Sequence, residues 1–115
     1  MKSIYYLYLD DVRTPTPAFG IFPEDSEFEW RHARSYDEAV SIVEEHGFPL
    51  IVDLDHDLGY GKNGTAFAQW LFDDYDRRTN SMPENFKFYV HSANSEGAKD
   101  MWSKYNSYMK SKKLP

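Results

Sequence analysis

Leu50-Ile51-Val52-Asp53-Leu54-Asp55-His56-Asp57-Leu58-Gly59 is the stretch on which the fold turns. Leu50 to Leu54 is a compact apolar run of the kind that forms a buried central strand, and it passes straight into an Asp/His/Gly turn. Two further stretches repeat that grammar. Ser3 to Leu9, rich in Ile, Tyr and Leu, runs into Asp10-Asp11-Val12-Arg13, and Phe86 to Val90 runs into His91-Ser92-Ala93-Asn94. Acids and imidazoles thus stand at the ends of three predicted strands. In an open sheet with helical connections, the carboxyl ends of neighbouring strands meet at one crevice, so these distant segments could share a site. Such residues suit phosphate or metal chemistry.

The connections carry helical patterns. Ser35 and Glu38 match a capping box, and Ala39, Ile42, Val43 and His46 then share one helical face until Gly47 and Pro49 stop it. A helix is predicted from about Thr65 to Asp76 with Phe67, Trp70 and Leu71 inward, then a polar loop from Arg77 to Asn85. Another is predicted from Ser95 to about Lys110, with Ala98, Met101, Trp102, Tyr105, Tyr108 and Met109 at core-facing spacing. Phe28 to Ala33 reads as a weaker strand whose direction is open. Before it, Arg13 to Glu27 has no periodicity and is broken by Pro15, Pro17, Gly20 and Pro23, which predicts a long loop beside the site. Alternating strands and helices imply an α/β layer fold with a largely parallel sheet.

At 115 residues, with 41% hydrophobic and 17% aromatic content, the chain suits a single domain, residues 1–115, around one core. The absence of cysteine excludes disulfide scaffolding and thiolate metal sites, and the N-terminus has no signal-peptide apolar core, so a cytoplasmic setting is expected. No apolar run approaches the roughly 20 residues that span a bilayer. A net charge of -6 opposes extended binding to duplex nucleic acid, although a few local bases or a cation could still receive a small phosphorylated ligand or one RNA terminus. The only dense basic cluster, Lys110, Lys112 and Lys113, reads as a solvated, frayed tail.

Asp10 and Asp11 would face opposite ways on a regular strand, but a turn at its end can aim both at one cleft. Two carboxylates about 4 Å apart repel by roughly 4 kcal/mol at an effective dielectric near 20, which a divalent cation or a proton would relieve, and Mg²⁺ fits oxygen ligands. An acidic turn that solvates a strand end accounts for the pair equally well. Asp53 and Asp55 share a strand face by alternation, and a buried Asp53 needs a partner. Gly59, Gly61 and Gly64 could offer backbone amides to an anion, though they fit a simple Gly-rich turn better.

His56 and His91, directly after two strands, are the acid/base candidates because imidazole titrates near neutrality. His32 and His46 read as structural. Ser92 and Asn94 can donate to phosphate oxygens and Arg13 can grip phosphate bidentately, with loop capping and an Arg-Asp pair as the plainer roles. A Ser92 nucleophile is disfavoured, since His91 beside it on an extended strand points the other way.

Taken together, Leu9 to Arg13, Arg34-Ser35-Tyr36-Asp37-Glu38-Ala39, Asp55-His56-Asp57-Leu58-Gly59 and His91-Ser92-Ala93-Asn94 resemble, in order and along nearly the whole chain, the cyclic-phosphate processing receiver-like domain family. The resemblance implies a truncated receiver-like (flavodoxin-like) three-layer α/β fold with a mostly parallel sheet of about four strands. It implies Asp10 and Asp11 at an acidic metal-binding corner with Asp55 at the phosphoacceptor position, and His56, Asp57 and His91 added to that corner. The implied activity is a phosphoesterase processing cyclic phosphates of nucleotides or RNA ends, with a divalent cation, Mg²⁺, as cofactor. The chain departs from an ordinary receiver in lacking a fifth strand ending in Lys-Pro, in a Pro-rich loop where the first helix would be, and in the extra acid Asp53. Two other readings remain open: a noncatalytic receiver-like module that senses a nucleotide or binds a protein, and phosphoryl acceptance at Asp55.

Overall fold

The computed structural model describes residues 5–11, 29–58, 61–92 and 94–113. Arg13, Gly59 and the expected 13–27 loop lie outside them. The elements run β1 (Tyr5–Leu9), β2 (Glu29–Ala33), α1 (Tyr36–His46), β3 (Ile51–Leu54), α2 (Gly64–Gln69), a π-helical segment (Trp70–Asp76), α3 (Arg77–Thr79), β4 (Lys87–Val90) and α4 (Ser95–Lys113). The strands form one four-stranded sheet in the order β2-β1-β3-β4, and every pairing is parallel. The direction of β2, open from sequence, is therefore parallel to β1.

Period-two alternation divides the sheet into two unlike faces. Tyr5, Leu7, Leu9, Val52, Leu54 and Phe88 join the main core with Ala39 and Val43 of α1, Phe67 and Ala68 of α2, and Met101 and Tyr108 of α4. The opposite face carries Tyr6 and Ile51 in a separate small cluster with Leu50 and Tyr89, to which no described helix contributes. Of the three expected layers, the described residues supply the sheet and the helical layer on the first face.

Local chemistry sets the helix ends. Ser35 caps α1 by accepting from the Glu38 amide, and Gly47 ends it at φ 93°, a left-handed value that favours glycine. The Gly47 carbonyl in turn accepts the buried Tyr5 hydroxyl at 2.6 Å. Asn63 caps α2 through the Ala66 amide. From there the chain stays helical to Thr79, so the polar loop expected from Arg77 begins three residues late.

The π-helical segment buries Asp76, which is 1% exposed. Its carboxylate accepts from the Ser81 and Met82 amides, the Tyr108 hydroxyl and Lys112 Nζ, the last at 2.7 Å. This corrects the expectation of a frayed basic tail: α4 continues through Lys113, and Lys112 neutralises a buried acid 36 positions away. A carboxylate removed from water needs such donors, and this one has them.

Candidate functional site

The strand register builds the site. Leu9 pairs with Leu54 and Leu54 with Val90, so the next residues, Asp10, Asp55 and His91, form one row across three adjacent strands. The ladder continues into that row, where the Asp55 amide donates to Leu9 O and the His91 amide to Leu54 O. Leu9 and Leu54 point into the helical core, which turns the row toward the opposite face, where Tyr8 and Asp53 already lie. A carboxylate oxygen of Asp10, one of Asp55 and a ring nitrogen of His91 all lie within 4.8 Å of one another. The expected convergence of these residues at one end of the sheet is what the structure shows.

His91 is held on three sides. Its Nδ1 lies 2.5 Å from Asp53 Oδ1 and its Nε2 lies 2.9 Å from Asp10 Oδ2. The Tyr8 ring stacks on it with centroids 4.6 Å apart and planes 3° from parallel. Asp53 and Asp10 are each 1% exposed and Asp55 is 7% exposed. Burial opposes a charged imidazole, but the bonds to Asp53 and then Asp10 outweigh it and raise the His91 pKa above its ordinary value. Asp53 thus has the partner its burial demands. His32, read as structural, accordingly bonds through Nε2 to the Asp10 carbonyl oxygen at 2.8 Å and meets the Tyr8 ring edge-on.

A second pair stands beside the row. His56 Nδ1 lies 2.8 Å from Asp57 Oδ1, and the Asn94 amide lies 3.3 Å from Asp57 Oδ2. The His56 hydrogen bond, aided by Asn94, holds the exposed Asp57 carboxyl below its ordinary pKa. Asn94 also starts α4, its Oδ1 accepting the Gly97 amide at 3.0 Å, and Ser92 Oγ accepts the Asn94 amide at 3.0 Å. The capping role foreseen for Asn94 is therefore present together with a tie to Asp57. Asp11 is half-buried next to Asp10, and it does not share the cluster of donor atoms formed by Asp10, Asp55 and His91. Gly64, from the expected glycine turn, is buried against the Asp55 carbonyl, where a Cβ would approach to 2.2 Å, so it serves close packing of α2 on the strand end.

The family model for the cyclic-phosphate processing receiver domain matches residues 5–107. The chain belongs to that family. A solved structure of the yeast Spc42 trimeric coiled-coil, amino acids 181-211, fused to another structure, is similar at TM-score 0.58 and 18% identity, over 94% of this chain and 63% of that one. At that identity the likeness shows the fold alone, and this receiver domain spans less than two thirds of that chain. No curated protein matches. Among the described residues, no helix is long and apolar enough to cross a membrane.

Proposed function

We propose that this receiver domain is a phosphoesterase that opens cyclic phosphates of nucleotides or RNA ends. The observation that carries the reading is the row Asp10, Asp55, His91, in which two buried carboxylates and an imidazole converge where three parallel strands end. Buried carboxylates this close repel, and a divalent cation relieves the repulsion, so Asp10 and Asp55 fit an oxygen-seeking ion such as Mg²⁺. Bound there, the ion would supply charge stabilisation for a phosphate. Asp11, next to Asp10, is assigned to the same cation, and Ser92, Asn94 and Arg13 are assigned the orientation of phosphate oxygens through hydroxyl, amide and guanidinium groups, Arg13 lying outside the described residues.

Hydrolysis of a cyclic phosphodiester forms one P–O bond to water and breaks one ring P–O bond, so a proton must leave the water and another must reach the departing oxygen. His56, oriented by Asp57, accepts the first. His91, whose charged form Asp53 and Asp10 favour, delivers the second. The test is incubation of the purified protein with 2′,3′-cyclic and 3′,5′-cyclic mononucleotides and a cyclic-phosphate-ended RNA, with Mg²⁺ or with chelator, and identification of the products. Ring opening that disappears in a folded His56→Ala, His91→Ala double variant is expected. Binding without product from any of these substrates would replace the enzyme by a nucleotide-sensing module.

A further inference from the structure

Asp53 is unlike the other acids of this corner. It lies within β3, not beyond its end, and belongs to none of the motifs that carry the family resemblance. It is 1% exposed in a strand whose other members are Ile51, Val52 and Leu54, a position where an apolar residue would be the cheaper choice. An ionisable group is stable there only when a specific partner answers it, and the partner is His91 Nδ1 at 2.5 Å. The opposite ring nitrogen, Nε2, is then the one that faces Asp10. Tyr8, stacked on the ring, leaves it little freedom to tilt, but stacking does not distinguish a ring from the same ring flipped by 180°. Asp53 on the Nδ1 side makes that distinction, together with Asp10 on the Nε2 side.

We propose that Asp53 is a positioning residue, which holds His91 by its Nδ1–H and thereby makes Nε2 the atom presented to the Asp10 and Asp55 corner. The catalytic consequence rests on the phosphoesterase reading above, whereas the positioning itself does not. A residue that only stabilised the fold would affect how much protein is folded, and leave turnover per folded molecule unchanged. A positioning residue acts on the chemical step, because an imidazole in the wrong tautomer or pose cannot deliver its proton, while substrate contacts made elsewhere persist.

Asp53→Asn tests this. The substitution keeps shape and volume, but its amide can donate to Nδ1 where the carboxylate could only accept. The folded variant is expected to lose kcat by about 10² to 10⁴ with KM changed less than about threefold. Independently of activity, ¹H–¹⁵N spectra of the histidine rings should show a downfield, solvent-protected Nδ1 proton for His91 that is lost in the variant. Thermal unfolding separates any effect on the folded fraction. An unchanged His91 ring resonance in folded Asp53→Asn would overturn the positioning, as would full kcat from that variant. If the wild type turns over no cyclic phosphate, the phosphoesterase reading falls and the ring resonance alone decides the role of Asp53: its loss in the variant supports the proposal.

Discussion

A Cβ at position 97 would come within 2.2 Å of His56 Cγ, so the first turn of α4 can take no side chain there while the imidazole keeps its bond to Asp57. Alanine normally stabilises a helix by about 0.5 to 1 kcal/mol over glycine. In Gly97→Ala that gain opposes the place of His56. The expected outcome is a displaced ring and a loss of turnover of about 10² or more, read from steady-state rates beside the variant's crystal structure. An undisturbed His56 with full turnover would show that α4 yields instead. Asp76 is a different case, since its carboxylate is buried among donors from α4 and the turn that follows α3. Burial opposes its charge, but donors from Lys112, Tyr108 and the Met82 amide prevail, and its folded pKa lies below the ordinary carboxyl value. A depressed folded pKa gives stability that is complete above the unfolded value of about 4 and is lost as pH falls through the folded one. Asp76→Asn should therefore cost about 2 kcal/mol near neutrality, with Lys112 partly solvated and free to swing out, and should flatten the acid limb of stability. Urea unfolding across the acid range measures both, and a variant with the wild-type acid limb would show that other carboxylates set it.

At the level of elements, the end of each strand and the start of the next helix are built from the same few residues. Asn94 caps α4 through the Gly97 amide and reaches Asp57 with its own amide. Two substitutions separate these roles. Asn94→Asp keeps an acceptor at the cap and adds charge favourable to the helix dipole, but sets a like charge beside Asp57. Asn94→Ala removes both contacts, at a cost of about 1 kcal/mol for the cap. Equal thermal stability of Asn94→Asp and wild type, a lower melting temperature for Asn94→Ala and reduced turnover in both are expected. Full turnover in Asn94→Asp would confine the residue to capping. Much of this architecture was legible in the sequence, because strand runs ending in Asp10, Asp55 and His91 state their own direction once the connections are helical, and alternation alone put Asp53 and Asp55 on one face. Other features had no local signal. The β1 to β2 crossover contains no helical period, so the direction of β2 could not be read. Residues Arg77 to Thr79 are helical without an apolar stripe to announce it. Asp53 demanded a partner, but nothing nearby in sequence named His91, 38 positions away. The Lys112 tie to Asp76 was invisible for the same reason, since long-range pairs depend on packing that no window of sequence contains.

For the whole molecule, the question is what a corner with three acids costs and what relieves it. The chain already carries a net charge of -6, and Asp10, Asp53 and Asp55 gather around the imidazole of His91 at the end of the sheet. His91 supplies one positive charge among them when protonated. Anything that binds the folded state and not the unfolded chain adds stability by mass action, about 2.7 kcal/mol at a hundredfold excess over its dissociation constant. If Asp10 and Asp55 hold a divalent ion, Mg²⁺ should raise the melting temperature and chelator should reverse the rise. The single variant Asp55→Asn should blunt the response, and an Asp10→Asn, Asp55→Asn double variant should abolish it. In chelator the order should invert, with the double variant at least as stable as the wild type because two of the repelling charges are gone. Matched ionic strength with a monovalent salt separates this from general screening, which acts on exposed charges and would shift all variants alike. Equal Mg²⁺ responses in the wild type and the double variant would remove the cation from this corner.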